Sequence, residues 1–388
     1  MSVTSPKGFV AAGVHCCIRK NDKRDLAIVR SLEQATGAGM FTINRVQAAP
    51  VTVCKEYLAA AQPQAVVANS GNANAATGAN GIAHARATAA TAAQVLGVAQ
   101  EEVLVLSTGV IGQPLPISNV LKGVTQAAVQ LSRSGGGTAA EAIMTTDTYA
   151  KEAVARGVGF TVGGMAKGSG MIHPQLATML AVLTTDYPLE PGEALAFLTP
   201  AVDASFNAIS VDGECSTNDA VLLLANGASG VMRTLESDLQ FAACVKQVCA
   251  DLAKQIVADG EGASVVAEIA VRGAVNDAEA RAIAERVATS PLVKTALFGH
   301  DANWGRIAAA AGSAKFNGGF ADLDPDRLSI SIDRVPVFVD GAPTGDEPVL
   351  ANGSCAIEID LALGDGAATY LTTDLSYDYV KINAEYRT

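Results

Sequence analysis

The stretch Met165-Ala-Lys-Gly-Ser-Gly-Met-Ile-His-Pro-Gln-Leu-Ala177-Thr178-Met179-Leu180 admits two readings that lead to different folds. In one, Thr178 caps the N-terminus of a buried helix running through Met179 and the apolar residues after it, because a threonine hydroxyl accepts an N–H of the first turn. In the other, Thr178 stands after a small residue beyond a glycine-rich turn and becomes the first residue of a new chain when the Ala177–Thr178 bond is cut. A terminal α-amino group has a reference pKa of roughly 7.7–8.0, low enough to act as a base toward the hydroxyl of the same residue. One residue then supplies both nucleophile and base. An isolated Ala-Thr pair favours the cap; the segments around this one reverse that preference.

The composition is that of a globular chain with a substantial core: 388 residues, 49% hydrophobic and only 17% charged. A net charge of -12, from 27 basic and 39 acidic residues, offers no footprint for nucleic acid or an anionic membrane and leaves small molecules as the expected partners. No uncharged apolar run of about 18 residues occurs and the N-terminus lacks a signal pattern, so a cytoplasmic protein is expected. The seven cysteines, Cys16, Cys17, Cys54, Cys215, Cys244, Cys249 and Cys355, show no paired metal-ligand spacing and read as reduced thiols. The four histidines, His15, His84, His173 and His300, supply a Ser-His-Asp triad poorly.

Periodicity alternates between strand and helix, which predicts mixed α/β structure. Ala65–Ala68 and Val103–Leu106 read as buried strands that each lead into a loop of Gly, Asn, Ser and Thr, and His84–Leu96 reads as a helix. Phe241, Val245, Val248, Leu252 and Ile256 fall on one helical face behind Ser237 as N-cap, ending at Asp259-Gly260 and delivering Glu261 to a C-terminal loop. Ala267, Ile269 and Val271 alternate as a strand before a helix carrying Ala280, Ile283, Ala284 and Val287, and further strands are expected over Leu328–Ile332 and Cys355–Leu361.

Eight segments in series, spread over nearly the whole chain, carry a family resemblance: Asn69-Ser-Gly-Asn-Ala-Asn-Ala-Ala-Thr-Gly78, Ser107-Thr-Gly-Val-Ile-Gly112, Ile143-Met-Thr-Thr-Asp-Thr148, Lys167 to Thr178, Asp259-Gly-Glu-Gly-Ala263, Ser290-Pro-Leu-Val-Lys-Thr-Ala296, Asn303-Trp-Gly-Arg306 and Tyr379 to Thr388. Together they resemble the ornithine acetyltransferase (glutamate N-acetyltransferase) family, whose precursors cleave themselves before such a threonine. The resemblance implies an ornithine acetyltransferase/DmpA-like fold, a layered α/β sandwich of mixed sheets between helices. It divides the chain into an α fragment (1–177) and a β fragment (178–388) that stay intertwined after autocleavage at Ala177/Thr178. Two such αβ units are expected to form a heterotetramer, with no metal and no cofactor.

Acyl transfer through a hydroxyl needs a nucleophile, a base and donors aimed at the oxyanion. The resemblance assigns the first two to Thr178, and the oxyanion hole to the Thr108 hydroxyl and the Gly109 N–H. It places Thr145, Lys167, Glu261, Asn383 and Thr388 around the substrates. Lys167, read as an uncovered cation in a glycine loop, would meet a substrate carboxylate, and Glu261 the ornithine amine. The β-branched and aromatic residues up to Thr388 suggest a docked C-terminus, against the usual fraying. One departure stands out: where the family usually continues Thr-Lys after Asp-Gly-Glu-Gly-Ala, this chain has Ser264-Val265.

The expected activity is a ping-pong transfer of acetyl from N2-acetyl-L-ornithine to L-glutamate in arginine biosynthesis. A bifunctional enzyme that also uses acetyl-CoA is the alternative, as is a self-cleaving N-terminal-nucleophile amidohydrolase or aminopeptidase in which water deacylates Thr178. A non-catalytic amino-acid-binding protein would need no cleavage. The strongest basic run, Arg19-Lys20-Asn21-Asp22-Lys23-Arg24, lies far in sequence from Thr178 and reads as a solvated turn, which favours acetylornithine over acetyl-CoA as donor.

Overall fold

The computed structural model describes residues 2–173, 179–350 and 353–385. They fall into two compact units, one including Met1–Asn207 and Glu214–Ile256, the other made of Ala208–Gly213 and Val257–Tyr386.

The first unit holds two mixed sheets. Four strands lie in the order Phe9–Val14, Leu26–Ser31, Ala65–Asn69, Val103–Ser107, with only the last pair parallel. Five more lie in the order Thr36–Phe41, Ala220–Ala225, Leu180–Thr185, Thr161–Lys167, Lys151–Arg156, with only Ala220–Ala225 and Leu180–Thr185 parallel. The central strands of this sheet are buried along their whole length, although only Ala220–Ala225 is apolar throughout. The helices Ala49–Ala60 and Gly136–Ala142 touch strands of both sheets, and one apolar core joins Val66, Leu104 and Val120 to Met165, Leu180 and Leu222. The layered α/β class is therefore as expected.

Leu180–Thr185 is a strand, so the helix-cap reading of Thr178 fails; β-branched and leucine side chains here fill a sheet buried on both faces. Lys167 pairs with Leu180 in the antiparallel register. Residues before 174 thus give the five-stranded sheet three strands and residues after 178 give it two, the adjacent Thr161–Lys167 and Leu180–Thr185 among them.

The second unit is a seven-stranded mixed sheet. Val265–Ala274 lies at its heart, parallel to Gly353–Asp360 and antiparallel to Gly366–Thr373. Alternate residues of Val265–Ala274 point into the core, and Asp277–Ala288 covers them with Ala280, Ile283, Ala284 and Val287. The Asn303 side chain accepts from Arg306 N–H at 3.0 Å and so caps the Trp304–Ala311 helix, while Trp304 stacks on Phe338. That motif serves the fold.

The long helix Leu235–Ala258 begins three residues earlier than expected. Thr234 precedes it, and Thr234 and Ser237 satisfy each other: Thr234 N–H donates to Ser237 Oγ at 2.8 Å, and Ser237 N–H to Thr234 Oγ1 at 3.1 Å. The helix ends as expected before Gly260. Gly262 then takes φ +66, and a Cβ on it would lie 2.3 Å from Tyr379 N. That close approach seats the Tyr377–Glu385 helix, held also by Ser376 Oγ donating to Gly262 O at 2.6 Å. Over its described length the C-terminal helix has no buried residue, and besides these hydrogen bonds Tyr377 sets its ring edge-on to Phe298, with centroids 5.3 Å apart.

Gly262→Ala meets both a left-handed φ and a backbone clash, so a loss of about 2 kcal/mol is expected, read as a lower midpoint in denaturant unfolding. A midpoint equal to the parent's would show that the loop and helix part at no cost.

Candidate active site

Thr108 follows the buried strand Val103–Ser107 and is itself buried. Asparagines hold its loop. Asn69 accepts from Ser107 Oγ at 2.6 Å and donates to Asn72 O at 2.9 Å, while Asn218 Nδ2 donates to Ala73 O at 2.6 Å and to Ser107 O at 2.8 Å. Gly109 has φ +128, and a Cβ there would lie 2.4 Å from Gly71 C. Only glycine fits, because the two loops leading from Asn69 and Ser107 press backbone against backbone at this point.

Lys167 does not sit in a loop with its head uncovered. It is the last residue of the Thr161–Lys167 strand, 2% exposed, and its Nζ donates to Thr108 Oγ1 at 3.3 Å. Removing an ammonium from water costs several kcal/mol unless charges and acceptors of the protein replace the solvent. Asp147 supplies the countercharge. Its Oδ1 accepts from Lys151 Nζ at 2.7 Å and Gly168 N–H at 2.8 Å, and its Oδ2 from Thr145 N–H at 2.9 Å. Burial alone would raise this carboxyl, but the Lys167 and Lys151 charges, with the hydrogen bonds from Lys151 and Thr145, outweigh it and hold Asp147 at about 2.

Asp219 is the second buried carboxyl of this unit and the opposite case. It accepts Met179 N–H at 3.0 Å, and burial pushes it well above the ordinary carboxylate range. Lys151, Lys167 and Asp147 thus form a buried charged cluster beside Thr108.

Thr145 is half-buried and lines a cavity of about 260 Å³ with Arg19, Lys23, Arg24 and Asp147. The basic run, expected to be a solvated turn remote from the chemistry, therefore borders one of the expected site residues. Arg19 donates to Met144 O at 3.0 Å and Thr145 O at 3.3 Å, and Arg24 pairs with Glu141 at 2.6 Å. Sequence distance misled because the Leu26–Ser31 strand brings this loop back beside the end of the Gly136–Ala142 helix.

In the second unit Asn383 Nδ2 donates to Glu261 Oε2 at 2.9 Å, which brings together two of the expected substrate residues. Ser264-Val265 turns out to be structural: Ser264 N–H and Val265 N–H both donate to Asp374 Oδ1, at 2.9 and 3.1 Å, and Val265 is buried at the start of its strand. Ala177, Thr178 and Thr388 lie outside the described residues.

Asp147, Lys151 and Asp219 had no role in the sequence reading. The available signal was a charge at the head of a fully apolar run, as in Asp219-Ala-Val-Leu-Leu-Leu-Ala225. The folded pKa of Asp147 lies below its unfolded value of about 3.9. Its contribution to stability is therefore full above about pH 4 and is lost as the pH falls through about 2. The stability gap between the parent and Asp147→Asn, measured by denaturant unfolding, should shrink by about 2 kcal/mol from pH 6 to pH 2. A gap that stays constant would mean that the two lysines do not depress this carboxyl.

Residues 10–388 match the model of the ArgJ family. A relative from Geobacter sulfurreducens is 45% identical over 395 aligned positions, covering 98% of this chain and 99% of its own. Another from Symbiobacterium thermophilum is 47% identical over 397, covering 100% of this chain and 98% of its own. Both are named arginine biosynthesis bifunctional protein ArgJ. Among solved structures, ornithine acetyltransferase complexed with ornithine from Mycobacterium tuberculosis is 42% identical with a TM-score of 0.44, covering 45% of this chain and 94% of that one. The bifunctional protein from Bacillus halodurans is 36% identical with a TM-score of 0.49, covering 52% and 97%. The chain belongs to the ArgJ family of arginine-biosynthesis acyltransferases.

Proposed function

We propose that this acyltransferase moves the acetyl group of N2-acetyl-L-ornithine to L-glutamate through an acetyl-Thr178 intermediate. The observation that carries the reading is the buried Lys167 ammonium against the Thr108 hydroxyl, on a strand whose register partner is Leu180, two residues past Thr178. In the first half-reaction Thr178 Oγ forms a bond to the acetyl carbonyl carbon, its proton passes to the Thr178 amine and on to the departing nitrogen, and the amide C–N bond breaks to release ornithine. In the second, the glutamate amine attacks the ester, a proton returns to Thr178 Oγ, and acetylglutamate leaves. Thr108 Oγ1 and Gly109 N–H are the oxyanion donors. The Lys167 ammonium meets the substrate α-carboxylate and Thr145 lies near it, while Glu261, held by Asn383, takes the ornithine side-chain amine and Thr388 completes the substrate residues.

Cleavage before Thr178 creates the nucleophile's amine. The Thr178 hydroxyl attacks the Ala177 carbonyl, the peptide becomes an ester, and water hydrolyses it. That the two strands flanking the cut pair with each other supports fragments that remain intertwined, as α (1–177) and β (178–388). The assembly is a heterotetramer of two αβ units, acting in the cytoplasm.

Acetyl-CoA as a second donor is the other reading. It is favoured by the word bifunctional in the relatives' names and by the side chains of Arg19, Lys23 and Arg24 around the Thr145 cavity. Two of those three cations are already bonded to carbonyls or to Glu141, which limits what they offer a phosphate.

The purified protein should run as two bands on a denaturing gel, and Thr178→Ala as one full-length, inactive band; processing or turnover in that variant sinks the mechanism. Thr108→Val, folded and cleaved, should lose about a hundredfold in kcat. Retention of acetyl on glutamate rather than release as acetate excludes a hydrolase. For the donor, acetylornithine is expected to exceed acetyl-CoA in kcat/KM at saturating glutamate by well over tenfold; values within about tenfold establish the bifunctional enzyme.

A further inference from the structure

Asp219 stands at the head of the Ala220–Ala225 strand and is fully buried. That strand runs parallel to Leu180–Thr185 with Ala220 level with Leu180, and the register sets Asp219 beside Met179, the residue bonded to Thr178. Two hydrogen bonds lock it there. Ala220 N–H donates to Met179 O at 3.2 Å, and Met179 N–H donates to Asp219 Oδ1 at 3.0 Å. From the other side, Thr42 N–H donates to the Asp219 carbonyl at 3.0 Å.

The second carboxyl oxygen is different. Asp219 Oδ2 is buried with no hydrogen-bond partner among the described residues. A carboxylate buried for the sake of the fold collects donors on both oxygens, as Asp147 does. Asp219 spends one oxygen on the peptide that follows Thr178, while the other has only the Ser216 and Thr42 hydroxyls nearby and no hydrogen bond of good geometry among the described residues.

We propose that Asp219 is a positioning residue for Thr178: it clamps the N–H of the Thr178–Met179 peptide and so fixes the main chain from which the nucleophile's hydroxyl and amine extend. This rests on Thr178 being the nucleophile. The titratable groups that face Asp219 are Lys167, from the neighbouring strand, and Cys215, from the loop before it; the Ser216 and Thr42 hydroxyls also approach. Burial raises the carboxyl well above its ordinary range against the pull of Met179 N–H, Lys167 and those hydroxyls. An anion in that place would favour the ammonium form of the Thr178 amine and remove the lone pair that takes the hydroxyl proton. An uncharged clamp holds the peptide and leaves the amine a base.

Asp219→Asn keeps a neutral acceptor of the same shape, whereas Asp219→Leu removes it. The Asn variant should cleave and turn over within about threefold of the parent, with an unchanged pH profile of kcat around neutrality. The Leu variant, if its thermal unfolding and circular dichroism match the parent's, should cleave and turn over at least about tenfold more slowly with little change in either KM. A loss of about a hundredfold in the Asn variant, or disappearance of one limb of its pH profile, would make Asp219 an ionised base and overturn the proposal. So would a folded Leu variant that performs like the parent. Should the Leu variant fail to fold, the Asn variant's rate and pH profile decide alone. Cleavage or activity in Thr178→Ala defeats the parent reading instead, whatever the Asp219 variants do.

Discussion

A lysine ammonium held out of water organises the first unit of this protein. Lys167 ends a strand that is buried from Thr161 onward, and its Nζ reaches Thr108 in the other sheet's loop. Nothing apolar could satisfy that head group, so the surroundings are built to answer it: Asp147 close by, Lys151 holding Asp147 in place, and Gly168 N–H closing the turn on the same carboxylate. Replacing a buried ion pair by apolar residues is often neutral or stabilising, so the cluster is poorly explained by stability alone. Its persistence makes chemical sense if a carboxylate-bearing substrate completes it.

Asp147 and Asp219 show how two carboxyls of one type acquire opposite character. Both are buried. Asp147 is surrounded by cations and N–H groups and stays ionised to low pH; Asp219 meets one peptide N–H and the more weakly coupled Lys167, and desolvation wins. Pairs of titratable groups pushed apart by their surroundings are a feature of sites that handle protons. Here Asp147 lies beside the Lys167 charge while Asp219, raised by burial, bonds the main chain beside the expected nucleophile.

Several motifs that attract attention as chemistry serve architecture. Asn69, Asn72 and Asn74 lie in one segment, yet Asn69 and Asn72 spend their side-chain amides on loop carbonyls, and Asn303 caps a helix. Ser264-Val265, the departure from the family pattern, bonds Asp374 and begins a strand, so a change of side chain there leaves Glu261 and its bond to Asn383 intact.

The sequence by itself determined the class of the fold and most of its elements. Unbroken apolar runs such as Ala65–Ala68 and Val103–Leu106 had to be buried strands, and the alternation in Val265–Ala274 had to be a strand with one face in the core, because side-chain period follows from backbone geometry. The family resemblance also names Thr108, Gly109, Glu261 and Asn383 as expected site residues, since local motifs can be read without three-dimensional information. What it could not determine was which charges are buried. Lys167 next to glycines reads as solvent-exposed, and the sequence reading assigns no role to Asp147 or Asp219. The basic run at Arg19–Arg24 reads as remote. Only strand pairing, of Lys167 with Leu180 and of Leu180 with the distant Ala220, sets Lys167 and Asp219 in desolvated surroundings, and a charge's environment is a property of those surroundings and not of its sequence neighbours.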